Sequence, residues 1–297
     1  MAETSSIMAR ANRRGAALMV GSMTAFTVND AFMKALGTEW PLFQSIFMRG
    51  VFAALIMAVL AVGLGHFKLK LARGDWAMVL IRTGCEALAA GLFITAIFNM
   101  PLAEATAILQ TLPLTVTLAG AIFLGEKVGW RRWLAILVGF LGVLLIVQPG
   151  GSGFSVYSLY AIASVVVITG RDIASRSMSS DVPSLMAAFV GALGVMIFGA
   201  VGSTTETWAP FTASAAYALG GAVLAILSAY YFSVAAMRSG DIGFVAPYRY
   251  TALLVALVIG VLFFGEIPSL LTLCGAALIM VTGLYTLFRE ARVKQGG

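Results

Sequence analysis

An all-α membrane protein of ten transmembrane helices, arranged as two inverted five-helix repeats, is the fold that three observations on this 297-residue sequence predict. The first is composition: 60% of residues are hydrophobic and only 11% charged, less than half the charge of an average soluble domain. The apolar residues run in long continuous stretches, without the alternation of barrel strands. In hydrocarbon each backbone N–H and C=O must be paired within its own segment, so stretches of about 20 residues become helices. The second is charge placement, with Lys and Arg gathered on alternate connections. The third is repetition: Phe123, Gly125 and Glu126 recur as Phe263, Gly265 and Glu266, and Asp30, Lys34 and Pro41 as Asp172, Arg176 and Pro183.

In chain order the predicted spans are Gly15–Leu36, Pro41–Leu64, Asp75–Phe98, Pro101–Leu124, Trp130–Val147, Phe154–Ser175, Pro183–Gly202, Ala213–Met237, Ile242–Phe264 and Ser269–Phe288. Turn-forming residues separate them: Gly37 to Pro41, Gln148 to Gly153, and Thr207 to Pro210. The first span follows Arg10, Arg13 and Arg14 as a secretory signal would, but Asp30 and Lys34 interrupt it and no small-residue cleavage site stands out, so it is read as a retained helix. Halves of five spans each, residues 1–150 and 151–297, must enter the membrane in opposite senses. Inverted repeats with a site near the midplane are a transporter architecture, because two interconvertible halves can expose one cavity to either side.

One side collects Arg10, Arg13, Arg14, Lys68, Lys70, Arg73, Lys127, Arg131, Arg132, Arg171, Arg176, Arg238, Arg289, Arg292 and Lys294, and the other carries Glu39, Glu206 and Glu266. Cytoplasmic loops hold the cationic excess, which places both termini in the cytoplasm. Trp40, Trp76, Trp130, Trp133 and Trp208 all fall at span ends, where an amphipathic ring is best solvated. A net charge of +6 so distributed belongs to a membrane topology and leaves no surface for nucleic acid. Membrane lipid and a small-molecule substrate are the expected partners.

Leu124-Gly125-Glu126 and Phe264-Gly265-Glu266, Pro101-Leu102-Ala103 opening the fourth span and Leu112-Pro113-Leu114 within it resemble the EamA-type drug/metabolite transporter superfamily over nearly the whole chain. The resemblance implies a location in the inner membrane and alternating access for a small metabolite. In size and layout the chain is similar to the YddG-type amino-acid exporters, which implies export of amino acids, aromatic ones included. The second copy departs from the first, with Pro247-Tyr248-Arg249-Tyr250 where the first has Ala107-Ile108-Leu109-Gln110.

The few polar residues inside spans are the candidates for function, since a central charge costs roughly 2.5–3.5 kcal/mol on insertion scales and normally faces a partner or a wet cavity. Arg249 has no carboxylate within a helical turn; its guanidinium can grip a carboxylate at two points, and Tyr248 and Tyr250 beside it offer faces and hydroxyls. Pairing with Glu86 or Asp172 across the bundle is the structural alternative. Arg82 and Glu86 share a helix face and form either a substrate-contacting pair or a bridge that only lets the helix insert. Glu86, read as the near-central carboxylate, is the proton-coupling candidate. Asp30 and Arg49 flank the Trp40-Pro41 turn at similar depth and read as a structural charge pair. Gln110 and Tyr230 complete the substrate-binding set, while Pro113 and Pro247 are the hinge candidates. Glu126 and Glu266 are expected to cap the following helix or bridge to basic neighbours, with Glu104 and Asn99 solvated.

Enzymatic readings find little support. The one histidine, His66, stands among Lys68 and Lys70; Cys85 and Cys274 sit in apolar runs, and no spacing fits a metal site, a nucleophilic triad or a phosphate loop. Neither a metal nor a cofactor is expected, and the oligomeric state cannot be read. A scaffold would need every intramembrane charge paired, with no cavity.

Overall fold

A computed structural model describes residues 2–63, 71–123, 125, 128–151, 154–179, 181–237, 239 and 242–295. His66, Lys68, Lys70, Glu126, Lys127 and Arg238 lie outside the described residues, as do the side chains of Arg289, Arg292 and Lys294. The described chain is helical, with no strand. In order come α1 (Ala2–Leu36), α2 (Leu42–Gly63), α3 (Arg73–Asn99), α4 (Leu102–Leu109), α5 (Leu112–Phe123), α6 (Trp130–Val147), α7 (Tyr157–Arg176), α8 (Ser184–Ser203), α9 (Ala213–Met237), α10 (Ile242–Val245), a 3₁₀ segment (Ala246–Tyr250), α11 (Thr251–Phe264) and α12 (Leu270–Gln295). Among the described residues nine helical stretches are long and apolar enough to cross a membrane, with α4 and α5 forming one of them. The tenth is α1, more polar because it carries Asn29, Asp30 and Lys34. Ten crossings return the C-terminal end of α12 to the face where α1 begins, called here the N-terminal face.

Helix pairing follows a twofold lying in the membrane plane. The α1–α9 pair has its counterpart in α7–α3, and α1–α11 in α7 with α4 and α5, while α2–α8 and α6–α12 are their own counterparts. Without a hydrophobic force between helices in lipid, such pairs depend on close backbone approach. A Cβ on Gly50 would stand 2.8 Å from the Met196 backbone and one on Gly199 2.5 Å from the Phe47 amide, so α2 and α8 touch through glycines. In the same way a Cβ on Gly142 would meet the Gly275 carbonyl at 2.8 Å, and one on Gly275 the Gly142 carbonyl at 2.5 Å.

The fourth span of each half is broken. Gln110 and Thr111 interrupt α4 and α5, and the 3₁₀ segment interrupts its counterpart. Pro113 stands at the second position of α5, just after the break, where the missing N–H forfeits no helical bond, and Pro247 stands within the 3₁₀ segment itself.

The face opposite the N-terminal one is closed by polar contacts between the halves. Glu206 accepts the N–H groups of Phe43 at 2.9 Å and Gln44 at 3.1 Å, placing a carboxylate on the positive end of α2. The Gln44 side chain exchanges hydrogen bonds with the Ala209 backbone, donating at 3.0 Å and accepting at 2.8 Å. Trp40 Nε1 donates to the Pro210 carbonyl at 3.1 Å. In the α1–α2 turn, hydrogen bonds from Ser214 and Thr212 hold the Glu39 carboxyl below the usual range.

Candidate functional site: a charged cavity between the halves

Between the halves lies a cavity of about 750 Å³, lined from α1, α2, α3, α4, α5, α7, α8, α9 and α10 to α11. Among the described residues, helices α6 and α12 contribute nothing to its wall. Small residues make the space: Gly50, Ala53, Ala90, Ala188, Ala192 and Ala246 face it where larger side chains would close it. Met57, Ala236 and Val245 carry the lining toward the N-terminal face, whereas Asp30 and Phe93 mark its other end.

Beyond that end the bundle is plugged. Met33, Leu36, Met100 and Leu102 are buried there, and Lys34 Nζ makes an ion pair with Glu266 at 2.9 Å while donating to the Ile97 carbonyl at 2.8 Å and the Met100 carbonyl at 2.7 Å. Glu266 also accepts the Leu102 N–H at 2.8 Å, capping α4. Gly265 permits this geometry: at φ +65 it ends α11 in the left-handed region, and the Glu266 N–H returns to the Gly260 carbonyl at 2.9 Å. Glu266 thus caps a helix of the other half rather than the one that follows it. Glu104 accepts a hydrogen bond from Thr272 at 3.1 Å, so it is held in the protein rather than left to solvent.

Seven charged side chains line the cavity among the described residues: Arg49, Arg82, Arg171 and Arg249 against Asp30, Glu86 and Asp172. Arg82 bridges to Glu86 at 3.1 Å, one turn along α3, and donates to the Ala187 carbonyl at 2.9 Å. A Cβ on Gly191 would stand 2.8 Å from Arg82 Nη1, so α8 leaves room for the guanidinium. Arg171 reaches Glu86 at 3.6 Å and clasps Asp172 through Nε at 2.9 Å and Nη2 at 2.7 Å. Arg171 therefore belongs to the site and not to the loop cations with which its place in the sequence had grouped it. Glu86 is likewise one of three carboxylates facing the cavity, not a solitary central one.

Arg249 lines the cavity with no ion pair among the described residues. It is deep within the protein yet solvent-accessible, because the surface it exposes is cavity wall. Gln110 Nε2 donates to the Arg249 carbonyl at 2.9 Å, tying the two helix breaks together. Tyr230 also lines the cavity, edge-on to Phe26 with ring centroids 5.6 Å apart.

Four expected neighbours are placed otherwise. Tyr248 and Tyr250 do not line the cavity: Tyr248 stacks beside Phe244 at 5.9 Å, and Tyr250, 3% exposed, turns toward Gly283 of α12. Adjacent residues in a helical segment diverge in direction by a third of a turn or so, so both flanks of Arg249 cannot share its wall. Asp30 and Arg49 face the same cavity and Arg49 acts on Asp30 by its charge, but no direct ion pair joins them. Instead Asp30 accepts the Asn29 side-chain amide at 2.9 Å. Equal depth on a hairpin does not set which way two side chains face.

The family model described as EamA-like transporter family matches residues 13–148 and again residues 156–288. Among curated relatives, an S-adenosylmethionine uptake transporter of Rickettsia conorii is 26% identical over 277 residues, 91% of each chain. A pseudopaline exporter of Pseudomonas aeruginosa is 30% identical over 274 residues, covering 91% of this chain and 94% of its own. A riboflavin transporter of Rhizobium johnstonii is 30% identical over 217 residues, covering 72% of this chain and 70% of its own. A crystal structure at 19% identity has the same fold, with a TM-score of 0.65 over 94% of this chain and 98% of that one. With the family pattern met twice along the chain and relatives that transport small molecules rather than transform them, this multi-pass membrane protein belongs to the EamA-like transporter family.

Proposed function

We propose that this protein is a secondary transporter of the inner membrane that exports carboxylate-bearing metabolites, amino acids and aromatic amino acids foremost, by alternating access between halves 1–150 and 151–297. The observation that carries this reading is the surplus cation among the described residues of the cavity, four arginines against three carboxylates, with Arg249 and Arg49 lacking ion pairs and, of these two, Arg249 alone standing toward the open end. A bound carboxylate supplies the missing charge and can accept two parallel N–H bonds from the guanidinium. Tyr230 and Phe26 offer an aromatic wall for the remainder of the cargo. The cationic residues of the N-terminal face support a cytoplasmic location for both termini, and the cavity then opens where an exporter collects its cargo. Glu86, between two arginines, is the proton-coupling carboxylate in this reading, and Pro113 and Pro247 mark the hinges.

Exchange into proteoliposomes tests it. Radiolabelled phenylalanine and other amino acids, with S-adenosylmethionine and riboflavin as competitors, should exchange through the wild-type protein, and Arg249→Ala should abolish exchange of carboxylate-bearing compounds. Undiminished exchange in that variant, or a wild type that moves only uncharged compounds, would overturn the proposal. Relatives named for S-adenosylmethionine uptake and for riboflavin transport favour a second reading, an uptake carrier for one of those metabolites. Net flux under an imposed gradient separates it from export.

A further inference from the structure

The cavity has a second polar station at its plugged end, away from Arg249. Asn29 is 2% exposed and spends its amide N–H on Asp30, while its Oδ1 has no hydrogen-bond partner. Arg49, on α2, keeps its Nε without a partner. Asp30, Asn29 and Arg49 all line the cavity. Buried polar atoms are seldom left unpaired, because forgoing the bond carries the full desolvation penalty. Here the open positions include an amide oxygen next to a carboxylate that no cation contacts directly, a pairing suited to an N–H donor carrying positive charge.

The two stations are far apart. By helical rise Asp30 lies toward the plugged face and Arg249 toward the open one, with roughly 12 Å between them along the membrane normal. The ammonium and carboxylate of an α-amino acid are separated by a single carbon and cannot reach both. The cavity of about 750 Å³ is also of a size that holds a far larger ligand.

Resting on the reading that Arg249 takes a carboxylate, we infer that the cargo is held at both ends, with its carboxylate on Arg249 and an ammonium or similar N–H donor on Asn29 Oδ1 and Asp30. The substrate class is then an elongated amino-bearing carboxylate, such as an amino acid whose long side chain ends in a donor. A short α-amino acid occupies one station only.

Thermal unfolding of the purified full-length protein with a ladder of ω-amino carboxylates, from 4-aminobutanoate to 12-aminododecanoate, tests this against alkyl carboxylates of equal length that lack the amine. Binding should strengthen with length, peak once the chain spans both stations, and there exceed the amine-free compound at least tenfold in apparent affinity. Asn29→Ala and, separately, Asp30→Asn should remove that advantage and leave carboxylate binding in place, while Arg249→Ala should remove both. No advantage of the amine at any length, or an advantage untouched in both deep-station variants, overturns the two-station inference alone. If no carboxylate binds and Arg249→Ala changes nothing, the carboxylate reading falls with it. The wild-type ladder separates these outcomes even where a variant fails to fold.

Discussion

Arg249 illustrates what a single side chain contributes here. Its guanidinium is held without an ion pair, and its backbone is fixed by Gln110. Truncating it should therefore leave unliganded stability nearly unchanged while weakening carboxylate binding tenfold or more, given about 1.5–3 kcal/mol for a hydrogen bond to a charged group. Comparing the unfolding temperature with a binding isotherm for Arg249→Ala checks both halves of that statement. Glu86 should behave in the opposite way. It bridges to Arg82 and Arg171, so Glu86→Gln leaves two guanidinium groups without their shared carboxylate. The side chains are 17% to 28% exposed, and the loss should fall short of the roughly 3–5 kcal/mol of a fully buried pair. A lower unfolding temperature with no ligand present is the expected result. Unchanged pH dependence of transport in the same variant would remove Glu86 as the proton carrier. The polarity of these residues was legible in the sequence, but their facing was not. Tyr248 and Tyr250 adjoin Arg249 in the chain and point elsewhere, whereas Arg171, which its place in the chain groups with the loop cations, is part of the cavity wall beside Asp172.

At the level of helices, the structure separates a plug from a frame. The plug joins the ends of α1, α3 and α11 to the start of α4 through Lys34 and Glu266. Lys34→Met removes the ion pair and two hydrogen bonds to carbonyls, and should raise hydrogen exchange over residues 97–104 relative to the wild type. Equal exchange there would show that the surrounding apolar contacts close this face unaided. The frame is the α6–α12 pair, which stands outside the cavity. Gly142→Val would drive a branched side chain into the Gly275 carbonyl, a misfit worth about 1–3 kcal/mol or more. The variant should unfold at lower temperature, and the molecules that remain folded should bind ligand with wild-type affinity. The helices themselves could be placed from apolar runs bounded by turn residues. The interruptions at Gln110–Thr111 and Ala246–Tyr250 announced themselves only through a nearby proline, because a break of one or two residues leaves mean hydropathy unchanged.

For the molecule as a whole, the closed plug and the lining that runs to the N-terminal face fit one of the two states that the proposed alternating access requires. A thiol introduced at Ser233, which lines the cavity, should react with a membrane-impermeant reagent applied from the N-terminal face and resist it from the other. Adding Lys34→Met should open reactivity from the second side. Labelling from both sides in the wild type would exclude a single-sided cavity. Composition, the cationic bias and the doubled Gly-Glu unit were enough to determine the solvent, the ten crossings and the opposed sense of the two halves, since hydrophobic runs, loop charge and internal repetition are all properties of consecutive residues. The space between the halves, the arginines left without ion pairs within it and the bridge from Lys34 to Glu266 were decided by tertiary packing alone, because each depends on side chains brought together from helices distant in the chain, and on how those helices are turned about their axes.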